Sequence, residues 1–155
     1  MTLPATGTLS MSQIATELGL SQTGLSLNHS WIRALAQRPS GSVSYSSLRG
    51  QSGHFSGTIN VNAGTGGASQ AMPFFGGGTN STSSVNQSNN GDGTFFVQVG
   101  FSPAPPDYSG NIILSDFTTG QTTILTPTGG GLWQNSASQQ VLVAGNNSIS
   151  IFPHT

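Results

Sequence analysis

The sequence predicts a mainly β protein, an antiparallel β-sandwich of jelly-roll or immunoglobulin-like type, preceded by a small module of short helices. Three observations carry that expectation. Residues 54–155 hold short runs of alternating apolar and polar residues, separated by glycine and asparagine clusters; runs recurring at roughly ten-residue intervals are the pattern of an all-β domain. Residues 1–53 instead repeat a helix-start pattern three times. Charge changes sign at the same place: residues 1–53 carry three Arg and one Glu, and residues 54–155 carry three Asp with no Arg or Lys. The boundary therefore falls at Gly50-Gln51-Ser52-Gly53, with a docking module over 1–53 and a β domain over 54–155.

In the first part, Ser10 is an N-cap residue, Gln13 closes a capping box with it, and Leu9 and Ile14 form a hydrophobic staple. The predicted helix covers 11–18 and stops at Gly19, a C-cap residue. Asn28 repeats the arrangement with Leu27 and Ile32 as its staple, and starts a helix through Trp31, Arg33, Leu35 and Ala36 that Pro39 ends. A third copy is Val43, Ser44 and Leu48, closed by Gly50. Isolated helices shorter than about 12–15 residues are marginal in water, so these segments must pack on the following domain or on another protein.

In the second part, alternation predicts strands over 54–62, 94–101, 111–116, 121–126, 139–144 and 148–152, with weaker candidates at 72–75, 84–86 and 132–134. Gly64-Thr65-Gly66-Gly67, Gly76-Gly77-Gly78, Asn89-Asn90-Gly91-Asp92-Gly93 and Gly129-Gly130-Gly131 read as turns between them. Pro103-Ala104-Pro105-Pro106 lacks ladder donors and reads as an ordered loop or sheet edge. Residues 76–93 read as a long surface loop with at most one short strand.

Composition narrows the function. Of 155 residues only seven are charged, none of them lysine, whereas Ser, Thr, Asn and Gln total 63. Three arginines make no phosphate-neutralising stripe, which argues against nucleic acid as a partner. No run approaches the roughly 20 apolar residues of a membrane-spanning helix, so no membrane partner is expected. The N-terminus lacks the basic head and apolar run of a secretory signal. With no cysteine, disulfides, thiolate zinc sites and cysteine catalysis are absent. Twelve aromatics and low charge argue against disorder. A surface of near-zero net charge lacks colloidal repulsion and favours association.

No catalytic constellation stands out, and the expectation is a protein that is not an enzyme and needs no cofactor or metal. Three histidines among 24 serines make chance neighbours inevitable, and no Gly-x-Ser-x-Gly elbow is present. A glycosidase needs two facing carboxylates, yet Asp92, Asp107 and Asp116 each sit in or beside a turn, where Asx side chains hydrogen-bond the backbone. The Asn89–Gly93 run has the oxygen-rich look of a calcium loop but holds one carboxylate, and a hairpin turn through Asp92-Gly93 accounts for it better. The Asn-x-Ser/Thr matches at Asn28, Asn80, Asn86 and Asn146 are chance in so Asn- and Ser-rich a chain. Trp31, Tyr45 and the three arginines cluster within one short stretch, and these are interface residue types. Phe74-Phe75 reads as a core pair.

Gly7-Thr8-Leu9-Ser10-Met11-Ser12-Gln13-Ile14-Ala15-Thr16-Glu17-Leu18-Gly19, then Ser26-Leu27-Asn28, Arg33-Ala34-Leu35-Ala36 and Pro39-Ser40-Gly41-Ser42-Val43-Ser44-Tyr45-Ser46-Ser47-Leu48-Arg49-Gly50-Gln51-Ser52 resemble a module of tailed-bacteriophage virion proteins, mostly of tail-fibre or minor-tail type. The resemblance covers about the first 52 residues, departs from the family pattern at Gln51, where a lysine is expected, and leaves 54–155 untouched. It implies a virion structural protein, located in the virion, whose N-terminal module docks in the tail, neck, baseplate or fibre. The implied partners are other virion proteins and copies of the chain, as a homotrimer or higher. The expected assembly interface is Trp31, Arg33, Leu35, Arg38, Tyr45 and Arg49. Alternatives are a head-decoration protein on the capsid, or a receptor- or carbohydrate-binding module that stacks sugar on Phe74, Phe75, Tyr108 or Trp133.

Overall fold

The structure, a computed structural model, describes residues 2–77 and 83–155; Gly78 and the Asn80-Ser81-Thr82 match lie outside the described residues. Three short helices come first: α1 (Met11–Leu18), α2 (Ser30–Leu35) and α3 (Tyr45–Leu48). The first follows the sequence reading closely. The Ser10 amide donates to Gln13 Oε1 at 2.8 Å and the Gln13 amide to Ser10 Oγ at 3.3 Å, and Leu9 and Ile14 are both buried. Gly19 ends α1 at φ 66°, ψ 26°, a left-handed conformation in which a Cβ is costly.

The second helix departs from expectation at both ends. Its N-cap is His29, whose Nδ1 accepts from the Trp31 amide at 3.2 Å, because the Asn28 side chain is taken by the Arg33 guanidinium at 2.8 Å. It stops at Leu35 rather than running to Pro39, and Gln37 turns left-handed at φ 53°. Ser44 caps α3 as predicted. Ile14, Leu18, Ile32, Leu35 and Leu48 are fully buried and belong to the same core cluster as the strand residues. Each such side chain contributes about 1.5–3 kcal/mol of transfer free energy.

Eight strands follow: β1 (Phe55–Val61), β2 (Gly67–Gln70), β3 (Ser83–Asn89), β4 (Phe95–Gly100), β5 (Asn111–Asp116), β6 (Gln121–Gly129), β7 (Leu132–Ala137) and β8 (Gly145–His154). They form one antiparallel sheet in the order β1-β8-β5-β6-β7-β4-β3-β2. The chain is mainly β, with 39% strand against 12% helix, and the sheet is nearly closed into a barrel. Closure comes from the β1–β2 turn: the Asn62 amide donates to the Gly67 carbonyl and the Gly66 amide to the Asn62 carbonyl, both at 2.8 Å. Alternation fills the interior, with Ile59 from β1, Val85 from β3, Val97 and Val99 from β4, Ile112 and Leu114 from β5, Leu125 from β6, and Ile149 and Ile151 from β8 fully buried.

Strands β5 to β8 lie in the order β8-β5-β6-β7, a Greek key, since three hairpin-connected strands are followed by a fourth that returns beside the first. The immunoglobulin-like alternative does not describe the sheet. That fold sets its first two strands side by side, whereas β1 here neighbours β8. Nor do the strands separate into two sheets by pairing, because β6 pairs with β5 over residues 121–125 and with β7 over 126–129.

One strand expectation is extended and two are corrected. Within residues 76–93, the weak candidate at 84–86 is part of β3, which runs seven residues and pairs with both β2 and β4. Residues 72–75 make only the isolated Phe74–Gly77 bridge, although Met72, Phe74 and Phe75 are buried. Residues 139–144 are not a strand. Their backbone is held by side chains instead: Gln87 Oε1 accepts from the Val141 and Leu142 amides at 2.8 and 3.0 Å, and Gln87 Nε2 donates to the Leu142 carbonyl at 3.0 Å. Asn147 likewise brackets Val143, accepting from its amide at 3.0 Å and donating to its carbonyl at 2.7 Å.

Candidate functional site

The helical part is fixed to the barrel through Glu17. Its carboxylate is buried, and Oε1 accepts from the Gly53 amide at 2.8 Å and the His54 amide at 3.4 Å. His54 Nδ1 lies 2.7 Å from the Glu17 carbonyl oxygen and 3.4 Å from Oε1. The His54 ring stacks on Phe152 of β8 at 4.2 Å, and Phe152 packs beneath Gly19, where an added Cβ would sit 3.1 Å from the ring. Glu17-Leu18-Gly19 is therefore an anchor: a carboxylate that caps the chain entering β1, a buried leucine, and a glycine that makes room for an aromatic.

Of the six residues expected at an assembly interface, three are exposed and three are wholly or partly buried. Leu35 is fully buried in the core, so it cannot contact a partner in this fold; three positions after Ile32, it turns inward on the same helix face. Arg33 is half-buried and each nitrogen of its guanidinium makes a hydrogen bond, donating to Asn28 Oδ1 at 2.8 Å, the Gly41 carbonyl at 2.9 Å and the Pro39 carbonyl at 3.3 Å. It pins the loop after α2 instead of reaching outward. Trp31 is half-buried, edge-on to His29 at 5.8 Å and to Tyr108 at 6.3 Å, which joins α2 to the barrel. Tyr45, Arg38 and Arg49 are exposed.

Phe74, Phe75, Phe101, Tyr108 and Trp133 form one aromatic cluster at the foot of the helical part. Phe74 stacks on Phe101 at 4.9 Å and Phe75 on Tyr108 at 4.5 Å. All five are buried, as the core reading of Phe74-Phe75 expects. Phe74 and Phe75 are fully closed off, so neither offers a ring face to a sugar, whereas Tyr108 and Trp133 border the cleft beside the cluster. Trp133 Nε1 donates to the Gly110 carbonyl at 2.8 Å. The Tyr108 hydroxyl donates to the Asn111 carbonyl and accepts from the His154 amide at 3.2 Å. Burial pushes its ionisation up to about 12, against the smaller opposing effect of the His154 amide. Phe75 and Gln37 both adopt positive φ, 46° and 53°, and they meet at Gly76, whose added Cβ would lie 2.2 Å from the Gln37 side chain. Packing holds this junction in conformations that non-glycine residues avoid.

Against this cluster the surface opens into a cleft of about 370 Å³ between the proline loop and the β6–β7 turn, lined by residues including Pro105, Pro106, Asp107, Gly130 and Leu132. The proline run and the triple glycine that frame it were both visible in the sequence, but nothing there shows that they face each other. The Asn89–Gly93 run is a hairpin turn between β3 and β4. Asp92 Oδ1 accepts from the Thr94 amide at 2.9 Å and from the Thr94 hydroxyl, and the hydroxyl bond, then the amide bond, hold the Asp92 carboxyl below its ordinary value. Among the described residues no cluster of three or more His, Cys, Asp or Glu could hold a metal ion, and no helix is long and apolar enough to cross a membrane. No protein-family model, curated protein or solved structure matches the chain.

Proposed function

We propose that the chain is a structural component of a tailed-phage particle, assembled in the tail, neck, baseplate or fibre with other virion proteins and copies of itself. The N-terminal blocks that resemble virion modules carry this reading. The structure supports it by giving each block a local role: capping at Ser10 and Gln13, anchoring at Glu17, Leu18 and Gly19, and clamping at Arg33. The pattern then specifies a helical cap rather than a catalytic centre, and leaves its solvent side to vary with the neighbour it meets. The finer fold belongs to the same reading. Because β6 changes partner along its length, with a register shift between Pro127 and Gly129, the barrel is flattened into two facing four-stranded halves, a sandwich joined through one corner strand.

Decoration of the head shell is the second reading, favoured by a barrel and helical cap that share one core. Mass spectrometry of purified virions, followed by electron microscopy that locates the chain, tests both. Density at the tail supports the first reading and density on the capsid lattice the second. A strictly monomeric protein absent from purified virions overturns both.

A further inference from the structure

We infer that copies of the chain join head to tail, with Tyr45 and Arg49 of one copy seated in the cleft beside Asp107 of the next. The inference rests on the assembly reading above and names its contact. It follows from where the seven charges of the chain go. Glu17 is buried under the Gly53 amide. Asp116 has Oδ1 accepting from the Thr118 amide at 2.7 Å and Oδ2 without a partner, but at 1% exposure it is closed to a neighbouring copy. Asp92 is held by Thr94 and Arg33 by three oxygens. That leaves one carboxylate, Asp107, and two guanidinium groups, Arg38 and Arg49, whose side chains have no partner among the described residues.

The two kinds of free charge sit in complementary settings. Asp107 is half-buried in a cleft whose walls are otherwise uncharged, with Pro105, Pro106, Pro127 and a 38% exposed Leu132. Arg49 follows α3 directly, four residues after Tyr45, which is 37% exposed. Arg49 is the C-cap of α3, so both residues belong to the same short turn of chain. Arg38 lies in the loop after α2 with no exposed large apolar side chain next to it in the chain. A tyrosine beside an arginine is the residue pair that anchors interfaces, and a proline-walled cleft with one carboxylate offers both an apolar seat and a counter-charge. In a chain with so few charges little else repels or misdirects the encounter, so one pair can set the register. The contact joins two different surfaces of the same chain, so it is heterologous and closes into a ring if the rotation permits.

Sedimentation of the full chain over a concentration range at low salt tests this. Arg49→Asp and Asp107→Arg are each expected to weaken self-association by at least about tenfold, and the double variant R49D/D107R to return it to within about threefold of the parent. Circular dichroism melts confirm the fold of each variant, and the milder Arg49→Gln and Asp107→Asn are expected to weaken association in the same direction. Association that persists in both charge reversals, or rescue of D107R by Arg38→Asp in place of Arg49→Asp, overturns the assignment. A parent chain that sediments as a monomer at every concentration overturns the self-assembly reading itself, a different failure.

Discussion

Glu17 shows how much one side chain can carry in a protein nearly without charge. Its carboxylate is the buried acceptor for two backbone amides at the point where the helices hand over to β1. Glu17→Ala leaves those amides unsatisfied in the interior and is expected to cost about 2–4 kcal/mol by urea unfolding. Glu17→Gln retains an acceptor and should lose less than the alanine variant. The sequence showed this residue as part of a motif but not its partners, because Gly53 and His54 lie more than thirty positions away. Tyr108 makes a second prediction. Its ionisation lies at about 12 in the fold against about 10 in an unfolded chain. A raised value favours the neutral form, so this contribution to stability is fully present below pH 10 and is lost as pH rises from 10 to 12. The slope is bounded by about 1.4 kcal/mol per pH unit, and screening at the ring's edge lowers it. Tyr108→Phe should flatten the loss between pH 10 and 12 in alkaline denaturation followed by circular dichroism. Two of the expected interface residues belong at this scale too: only the fold reveals that Leu35 fills the core and that Arg33 clamps a loop.

At the scale of elements, side-chain amides do work that the sequence assigned to strands. Residues 139–144 alternate like a strand, yet their hydrogen-bonding partner is Gln87 on β3, with Asn147 behind. Gln87→Ala removes an acceptor shared by two amides and a donor to the Leu142 carbonyl. The expected cost is about 2–3 kcal/mol at roughly 1 kcal/mol per bond, with hydrogen exchange at Val141 and Leu142 rising while β5 and β8 stay protected. Uniform loss of protection across the barrel would contradict a local clamp. The elements legible beforehand were those whose signal is local: the Ser10–Gln13 box, the Gly19 stop, and the apolar alternation of β1, β4 and β5. Strand β3 showed only as a weak candidate at 84–86 because Ser, Asn and Gln occupy positions where alternation is read, and among its residues only Val85 and Ser83 are buried. Strand β2 was missed because it starts on Gly67, the last residue of a run read as a turn, and only its first two residues are buried. The glycines at its start answer to a strand distant in sequence: a Cβ on Gly66, just before β2, would lie 2.2 Å from the Gln87 carbonyl oxygen, and one on Gly67 2.1 Å from Asn86 Oδ1.

Across the whole molecule, the change of texture near residue 53 separates two kinds of secondary structure but not two cores. Ile14, Leu18, Ile32, Leu35 and Leu48 share one buried cluster with the barrel residues, and Trp31 reaches Tyr108 across the junction. Removing the helices would uncover that shared core, so the helical cap and the barrel are expected to unfold together. The two tryptophans make this measurable in the intact chain, one in each part. In the Trp133→Phe variant, fluorescence reports the helical part through Trp31, whereas far-ultraviolet circular dichroism is dominated by the strands. A two-state unit gives coincident urea transitions for the two probes. An earlier fluorescence transition, at a midpoint that circular dichroism does not see, would make residues 1–53 a separately melting module. The distinction bears on assembly, because a cap that melts alone could rearrange when it meets a neighbour. A cap that shares the core must instead dock as a rigid body and present Tyr45 and Arg49 in fixed positions relative to the Asp107 cleft. Coincident midpoints are the expected result, and they would leave the head-to-tail contact to be set by the geometry already present in the free chain.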